Sequence, residues 1–293
     1  PHDLGPVNVP SVALLGPDPG PLLVDAPGVI RPLPELADAA AGVGMISLWE
    51  SPDNVVRRVP LALRAGGQIY PALTMEMLRI ALGERTYIVE TDPAGVAALL
   101  IGRYRVPTDY SGQIWVHYRP SVPAQYVSAA DLIAGRVAPE TFRDKFVLVG
   151  TSATGLGDIK ATPLDAARPG VDVHAQALET VLAGQVLRRP AVAETLELAG
   201  TLALGLALVA LVPLVGAWPA LLLGGVLAVA TLGVSGWAFF HNRLLLDPGF
   251  PLATGFLAFT AMVFSNYLGS EREKRFIRGA FNQYLTPALV DRL

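Results

Sequence analysis

Hydrophobic and polar positions divide this chain into two unlike parts. Its last third holds three long apolar runs, residues 191–215, 218–240 and 250–268. Each is about 20 residues long or slightly more, enough to cross ~30 Å of hydrocarbon as an α-helix. None has Asp, Glu, Lys or Arg in its central part. The preceding 190 residues show short apolar runs broken by turns instead. Ser11–Leu15 reads as a short strand. Residues 33–41 read as a helix with Leu33, Leu36, Ala37 and Ala40 on one face. Residues 45–48 suit a buried strand, residues 51–54 a turn, and residues 55–63 a strand. Residues 71–82 form the clearest amphipathic helix, with Leu73, Met77, Ile80 and Ala81 spaced for one face and Gly83 as its stop. Residues 113–118 read as a strand, 128–133 as a short helix and 145–150 as a central buried strand. A second helix spans 172–187, with Val173, Ala177, Val181 and Leu182 on one face.

Strands alternating with helices predict an α/β domain, a mixed sheet with flanking helices, followed by an all-α anchor of three transmembrane helices. The domain boundaries expected are 1–190 for the soluble part, 191–269 for the spans and 270–293 for a helical tail. An odd number of spans places the two ends in different compartments, the layout of a transmembrane signalling protein. The chain opens at Pro1 without a preceding span and stops one turn into a helix, so it is expected to be a central piece of a larger protein.

Charge adds little. The formal net charge is −3, spread along the chain, which gives no support to nucleic-acid binding. There is no Cys, so disulfides and thiolate metal sites are excluded. Arg272, Lys274, Arg275 and Arg278 follow the third span, against Arg188, Arg189 and Arg243 on the other side. That slight excess favours a cytoplasmic C-terminus.

Chemistry-bearing motifs are sparse. Residues 149–158 form a glycine-rich loop directly after an apolar run, where backbone N–H groups can face a phosphate. Gly150 and Gly155 have phosphate-loop spacing, but Leu156 stands where Lys is needed and Gly157 where Ser or Thr is needed. A structural loop is the better reading. His2, His117, His174 and His241 lack ligand spacing. His117 reads as half-buried in a strand, and His174 as a packing or hydrogen-bonding residue at a helix start. Asp158, Asp165 and Asp172 could gather around the loop as a cation site, although loop acids usually face water. No Ser–His–Asp or paired-carboxylate arrangement can be argued from spacing, and the soluble part does not read as an enzyme.

Several segments together resemble a known module. They are residues 55–61 (Val-Val-Arg-Arg-Val-Pro-Leu), 146–153 (Phe-Val-Leu-Val-Gly-Thr-Ser-Ala), 155–158, 162–164 and 169–175 (Pro-Gly-Val-Asp-Val-His-Ala). In this order, over roughly residues 30–190, they look like the type-two CHASE domain, an extracytoplasmic sensor of bacterial receptors typically followed by three spans. Its family-motif positions here are Arg57, Arg58, Gly150, Asp158, Pro163, Gly170 and His174. The family's preceding span and first acidic segment are absent, which suggests truncation.

Residues 276–290 are similar to the segment leading into class III nucleotide cyclase domains, with Phe281, Tyr284, Thr286 and Pro287 at its pattern positions. Thr286 is a good N-cap and Pro287 a good first helical residue. Ile277, Phe281 and Tyr284 share a stripe that can pair with its twin.

The resemblance implies a parallel homodimer in a bacterial plasma membrane. The sensor would lie outside, its signal unknown, and an adenylate cyclase would act on ATP inside. Its two Mg or Mn ions would sit on aspartates of a missing catalytic domain, so no catalytic, cofactor or metal site is expected in this chain. The same sensor driving a histidine or Ser/Thr kinase is the alternative, and a non-enzymatic membrane protein the third reading.

Overall fold

The computed structural model describes residues 11–152, 158–190, 192–215 and 217–282. It divides into two compact units, one up to Ala191 and one from Val192.

In the first unit, β1 (Ser11–Leu15) lies parallel to β6 (Thr86–Asp92), which turns back into β7 (Gly95–Ile101) and then β8 (Tyr104–Pro107). Side chains alternate along β6: Tyr87, Val89 and Thr91 are buried. In β7 both faces are covered, as befits a central strand. A second sheet joins β2 (Val24–Ala26) parallel to β4 (Ala62–Ala65), which is hairpinned to β5 (Gln68–Pro71). Gly66 and Gly67, at φ 56° and 79°, form that turn, whose two left-handed positions suit glycine. Two small antiparallel pairs complete the strands: β3 (Arg58–Pro60) with β9 (Gln113–Trp115), and β10 (Ile159–Lys160) with β11 (Arg168–Pro169).

The helices are α1 (Pro34–Ala39), α2 (Leu73–Leu82), α3 (Ala129–Ile133) and α4 (Gly170–Leu182). The core lies between the strands, α2 and α4, around Val56, Val59, Leu61, Met75, Leu99, Ile114, Val173 and Ala177. Mixed sheets with helices are thus present, as expected. Strands β6 to β8 were not anticipated, although the Asp92–Gly95 and Gly102–Arg103 turns between apolar runs are hairpin signals.

Several local expectations are corrected. The 145–150 run is no strand: it has no ladder partner among the described residues and is largely exposed, Val149 at 91%. Residues 45–48 make a single bridge, Met45 to Ala72, with Ile46 exposed. Residues 55–63 split at Leu61 into β3 and β4, which join different sheets. Helix α1 is shorter than expected, and Leu33 and Leu36 are exposed.

Helix α2 ends as anticipated, at Gly83 with φ 70°, whose amide and that of Glu84 return to Ile80 and Arg79 carbonyls. Its buried face, however, is Thr74, Met75, Glu76 and Leu78, while Ile80 is exposed. Glu76 is only 1% exposed, because Arg79 and Tyr87 bind its carboxylate. Helix α4 begins two residues before the expected start and stops at Leu182, where Ala183 and the left-handed Gly184 turn the chain. Leu182 is consequently exposed, whereas Val173 and Ala177 are in the core.

The second unit contains α5 (Val192–Leu211), α6 (Ala217–Asn242) and α7 (Gly249–Asn282). All three are long and apolar enough to cross a membrane. Their mutual contact is a narrow seam around Leu208, Val212, Ala220 and Phe259. Most of their large apolar side chains face outward, a surface that only a non-aqueous environment would stabilise. Pro213 lies just past the end of α5, and the Val212 carbonyl beside it accepts a hydrogen bond from Asn266 Nδ2 of α7 at 3.2 Å. At ~1.5 Å per residue, the 34 residues of α7 span roughly 50 Å, well beyond a ~30 Å hydrocarbon core. The helix therefore continues past its apolar stretch, as expected. Phe281 lies in α7, whereas Tyr284, Thr286 and Pro287 lie outside the described residues.

Candidate functional site

The motif positions collect around the start of α4. Pro169 with its fixed φ precedes the helix, and Gly170 opens it with its amide on the Asp158 carbonyl at 2.8 Å. The Asp158 carboxylate lies against Gly170, so that a Cβ there would displace it. Gly150 is more tightly constrained, since its Cβ would sit 2.5 Å from Val171 Cβ. One turn further along, the His174 ring is 5% exposed and donates from Nε2 to the Ile46 carbonyl at 3.1 Å. Burial lowers its pKa, against the opposing pull of the Ile46 carbonyl and the Asp158 charge. Gly150, Asp158, Gly170 and His174 are thus brought together.

The other three motif residues stand apart. Arg57 forms a two-toothed pair with Asp53 at 2.8 and 2.7 Å, in the turn before β3. That contact holds the Asp53 carboxyl at about 2. Arg58 reaches Asp109 at 3.1 Å and lies over the Trp115 ring. Asp109 in turn accepts Ser111 and Gln113 amides, so Arg58 braces β3 against β9 and the turn before it. Pro163 is an exposed corner of the Thr162–Asp165 turn. Residues 153–157 of the glycine-rich loop lie outside the described residues.

A second group, not anticipated, lies along another stripe of α4. Asp172, Gln176 and Thr180 recur every four residues and share one face. Gln176 Oε1 accepts the Arg119 amide and Thr180 Oγ1 accepts the His117 amide, both at 3.0 Å. Asp172 pairs with Arg168, which is 2% exposed and also donates to the Arg119 carbonyl at 3.3 Å. Polar side chains of α4 therefore take the place of a sheet neighbour for residues 117–119. His117, expected to be half-buried, is exposed, because β9 ends at Trp115.

Burial raises the Tyr118 pKa, with Asp172 acting the same way and Arg168 opposing. Tyr118 Oη and Arg168 Nε are buried without a hydrogen-bond partner among the described residues. A four-residue polar repeat on α4 was the readable signal for this stripe; Arg168, outside the helix, carried none.

The three aspartates considered for a cation do not converge. Asp172 is held by Arg168, and Asp165 caps its own turn through the Ala167 amide. No group of three His, Asp or Glu side chains that could hold a metal ion occurs among the described residues. The geometry is that of a helix start packed by close backbone approach.

No curated protein and no solved structure matches the chain. The family model described as the CHASE2 domain matches residues 8–213, which includes all seven motif positions and α5. CHASE2 is an extracellular sensor domain. The match covers more than two thirds of the 293 residues, and this chain belongs to the CHASE2 family.

Proposed function

We propose that this chain is the sensor, membrane anchor and transmission helix of a receptor-type class III nucleotide cyclase. The observation that carries the reading is the order of parts: a CHASE2 domain, three apolar helices, and a last helix that runs on to Asn282. That helix leads into residues 276–290, the segment similar to the approach to class III cyclase domains.

In this reading the sensor faces outward from a bacterial plasma membrane and the end of α7 faces the cytoplasm, in keeping with Arg272, Lys274 and Arg275 beyond the third span. A signal that displaces the start of α4 would be passed along the chain to α5, the next element in order. Two copies side by side would bring the α7 extensions together, and a shift of one against the other would change how the catalytic domains meet. The cyclase reaction joins the ribose 3′ oxygen to the α-phosphorus and releases diphosphate. Its two divalent ions would stabilise the attacking and leaving oxygens. Their ligands are expected in a catalytic domain following residue 293, so no step is assigned to residues of this chain.

The test supplies ATP or GTP with Mn²⁺ or Mg²⁺ to the full-length parent protein in membranes. Cyclic AMP above background supports the proposal. Cyclic GMP would change the substrate, and protein phosphorylation without a cyclic product would replace the cyclase by a kinase.

A further inference from the structure

We propose that His174 makes this domain responsive to external acidification, by taking a proton on Nδ1 and loosening the contact between the start of α4 and the segment around Ile46. This goes beyond the output assigned above and does not depend on it.

The argument starts from tautomers. A carbonyl only accepts, so Nε2, at 3.1 Å from the Ile46 oxygen, carries the proton of the neutral ring. Nδ1 is then a bare lone pair, buried without a hydrogen-bond partner among the described residues. Protonation converts it into a buried N–H donor lacking an acceptor among the described residues, and adds a positive charge near the end of α4 that already carries the helix's partial positive charge.

The neighbouring charges offer limited relief. On the elements packed around α4, Glu50 is paired with Lys160 at 2.8 Å. Arg168 is paired with Asp172, Arg119 with Glu179, and Glu76 with Arg79. Asp158 is the charge that acts on the ring, and it favours the protonated form. Burial is the larger influence and disfavours that form, which agrees with the geometry.

Protonation therefore has a definite consequence. Either the ring swings toward Asp158, or the Ile46 contact opens to admit water. Both outcomes disturb the place where Gly150, Asp158 and Gly170 are in closest approach. Met45, next to Ile46, is tied to the start of α2 through the Pro71 and Leu73 backbone, so the disturbance reaches the core. An extracellular domain meets the pH of its surroundings directly, and a histidine titrates in the range where that pH varies.

The test is amide hydrogen exchange on the full chain in lipid nanodiscs between pH 7.5 and 5.0, with labelling times scaled for intrinsic exchange. Peptides covering residues 45–50 and 158–175 are expected to exchange at least tenfold faster at the acid end, while α6 stays unchanged. His174→Gln keeps a donor for the Ile46 carbonyl but cannot titrate, and is expected to abolish the acceleration. Asp158→Asn removes the favourable charge and is expected to move the transition to lower pH. A wild-type profile flat across the range overturns the proposal, as does an acceleration that persists in His174→Gln. Should His174→Gln prove unfolded at pH 7.5, Asp158→Asn decides: an unchanged transition, or one moved to higher pH, overturns it.

Discussion

Glu76→Gln is the substitution for which the first unit's stability can be worked out most directly. Glu76 lies in the core-facing stripe of α2 and accepts hydrogen bonds from Arg79 Nε at 2.9 Å, Arg79 Nη2 at 2.7 Å and Tyr87 Oη. Gly42 closes over the carboxylate, since a Cβ there would collide with it. Gln keeps one acceptor oxygen but turns an NH₂ group toward the guanidinium, losing one charge-assisted bond and the countercharge. Removing one partner of a buried pair costs about 3–5 kcal/mol. The Arg79 side chain keeps slight solvent contact, 12% against 2% for Glu76, which places the loss near the lower end, about 3 kcal/mol. That is roughly two powers of ten in the folding equilibrium.

Pulse proteolysis in urea, on the full chain in detergent, reads this as a midpoint about 1–2 M lower, for a slope of about 2 kcal/mol per M. Replacing all three groups with apolar residues (Glu76→Met, Arg79→Met, Tyr87→Phe) should restore much of the loss, because no charge is then left buried. A midpoint shift under about 0.3 M for Glu76→Gln is the size of a surface substitution and would refute the reasoning.

Other outcomes follow from the same contacts. Asp172→Asn leaves Arg168 buried without its countercharge. It should speed amide exchange at residues 117–119 by at least tenfold, an effect Glu76→Gln should not share. Gly150→Ala overpacks against Val171 and should cost about 1–3 kcal/mol in urea unfolding; adding Val171→Ala should recover most of it. Burial raises the Tyr87 pKa in the folded state above 10.0, so the unfolded chain loses its proton first as pH rises. Stability is expected to be full below about pH 10 and to fall above it, and Tyr87→Phe should remove that part of the alkaline loss.

Much of this molecule is determined by local pattern. The three long apolar helices depend only on length and the exclusion of charge, so α5, α6 and α7 appear where the apolar runs stand, and α7 continues into the charged tail. Strand β1 and helix α3 also stand where the sequence predicts them, and the Gly83 stop of α2 follows from a short-range rule, a left-handed position that suits glycine. The order of motif segments also sufficed to point to the family whose model matches residues 8–213.

Tertiary structure decided which faces are buried. Apolar content alone marked residues 145–150 as central, yet a strand needs ladder partners, and β3, β9 and the β6–β8 meander pair elsewhere. The buried face of α2 is set by Tyr87 and Arg79, which make a buried Glu76 tolerable; no helical periodicity encodes a partner 11 residues away in another element. Gly150, Asp158, Gly170 and His174 were nameable as motif positions one by one. Their meeting at one helix start, and the separation of Arg57, Arg58 and Pro163 from them, follows from long-range backbone contacts such as Gly170 to Asp158 and Val56 to Ala161. Proximity of that kind is a property of the closed chain, because residues far apart in sequence interact only once the core has brought their backbones together.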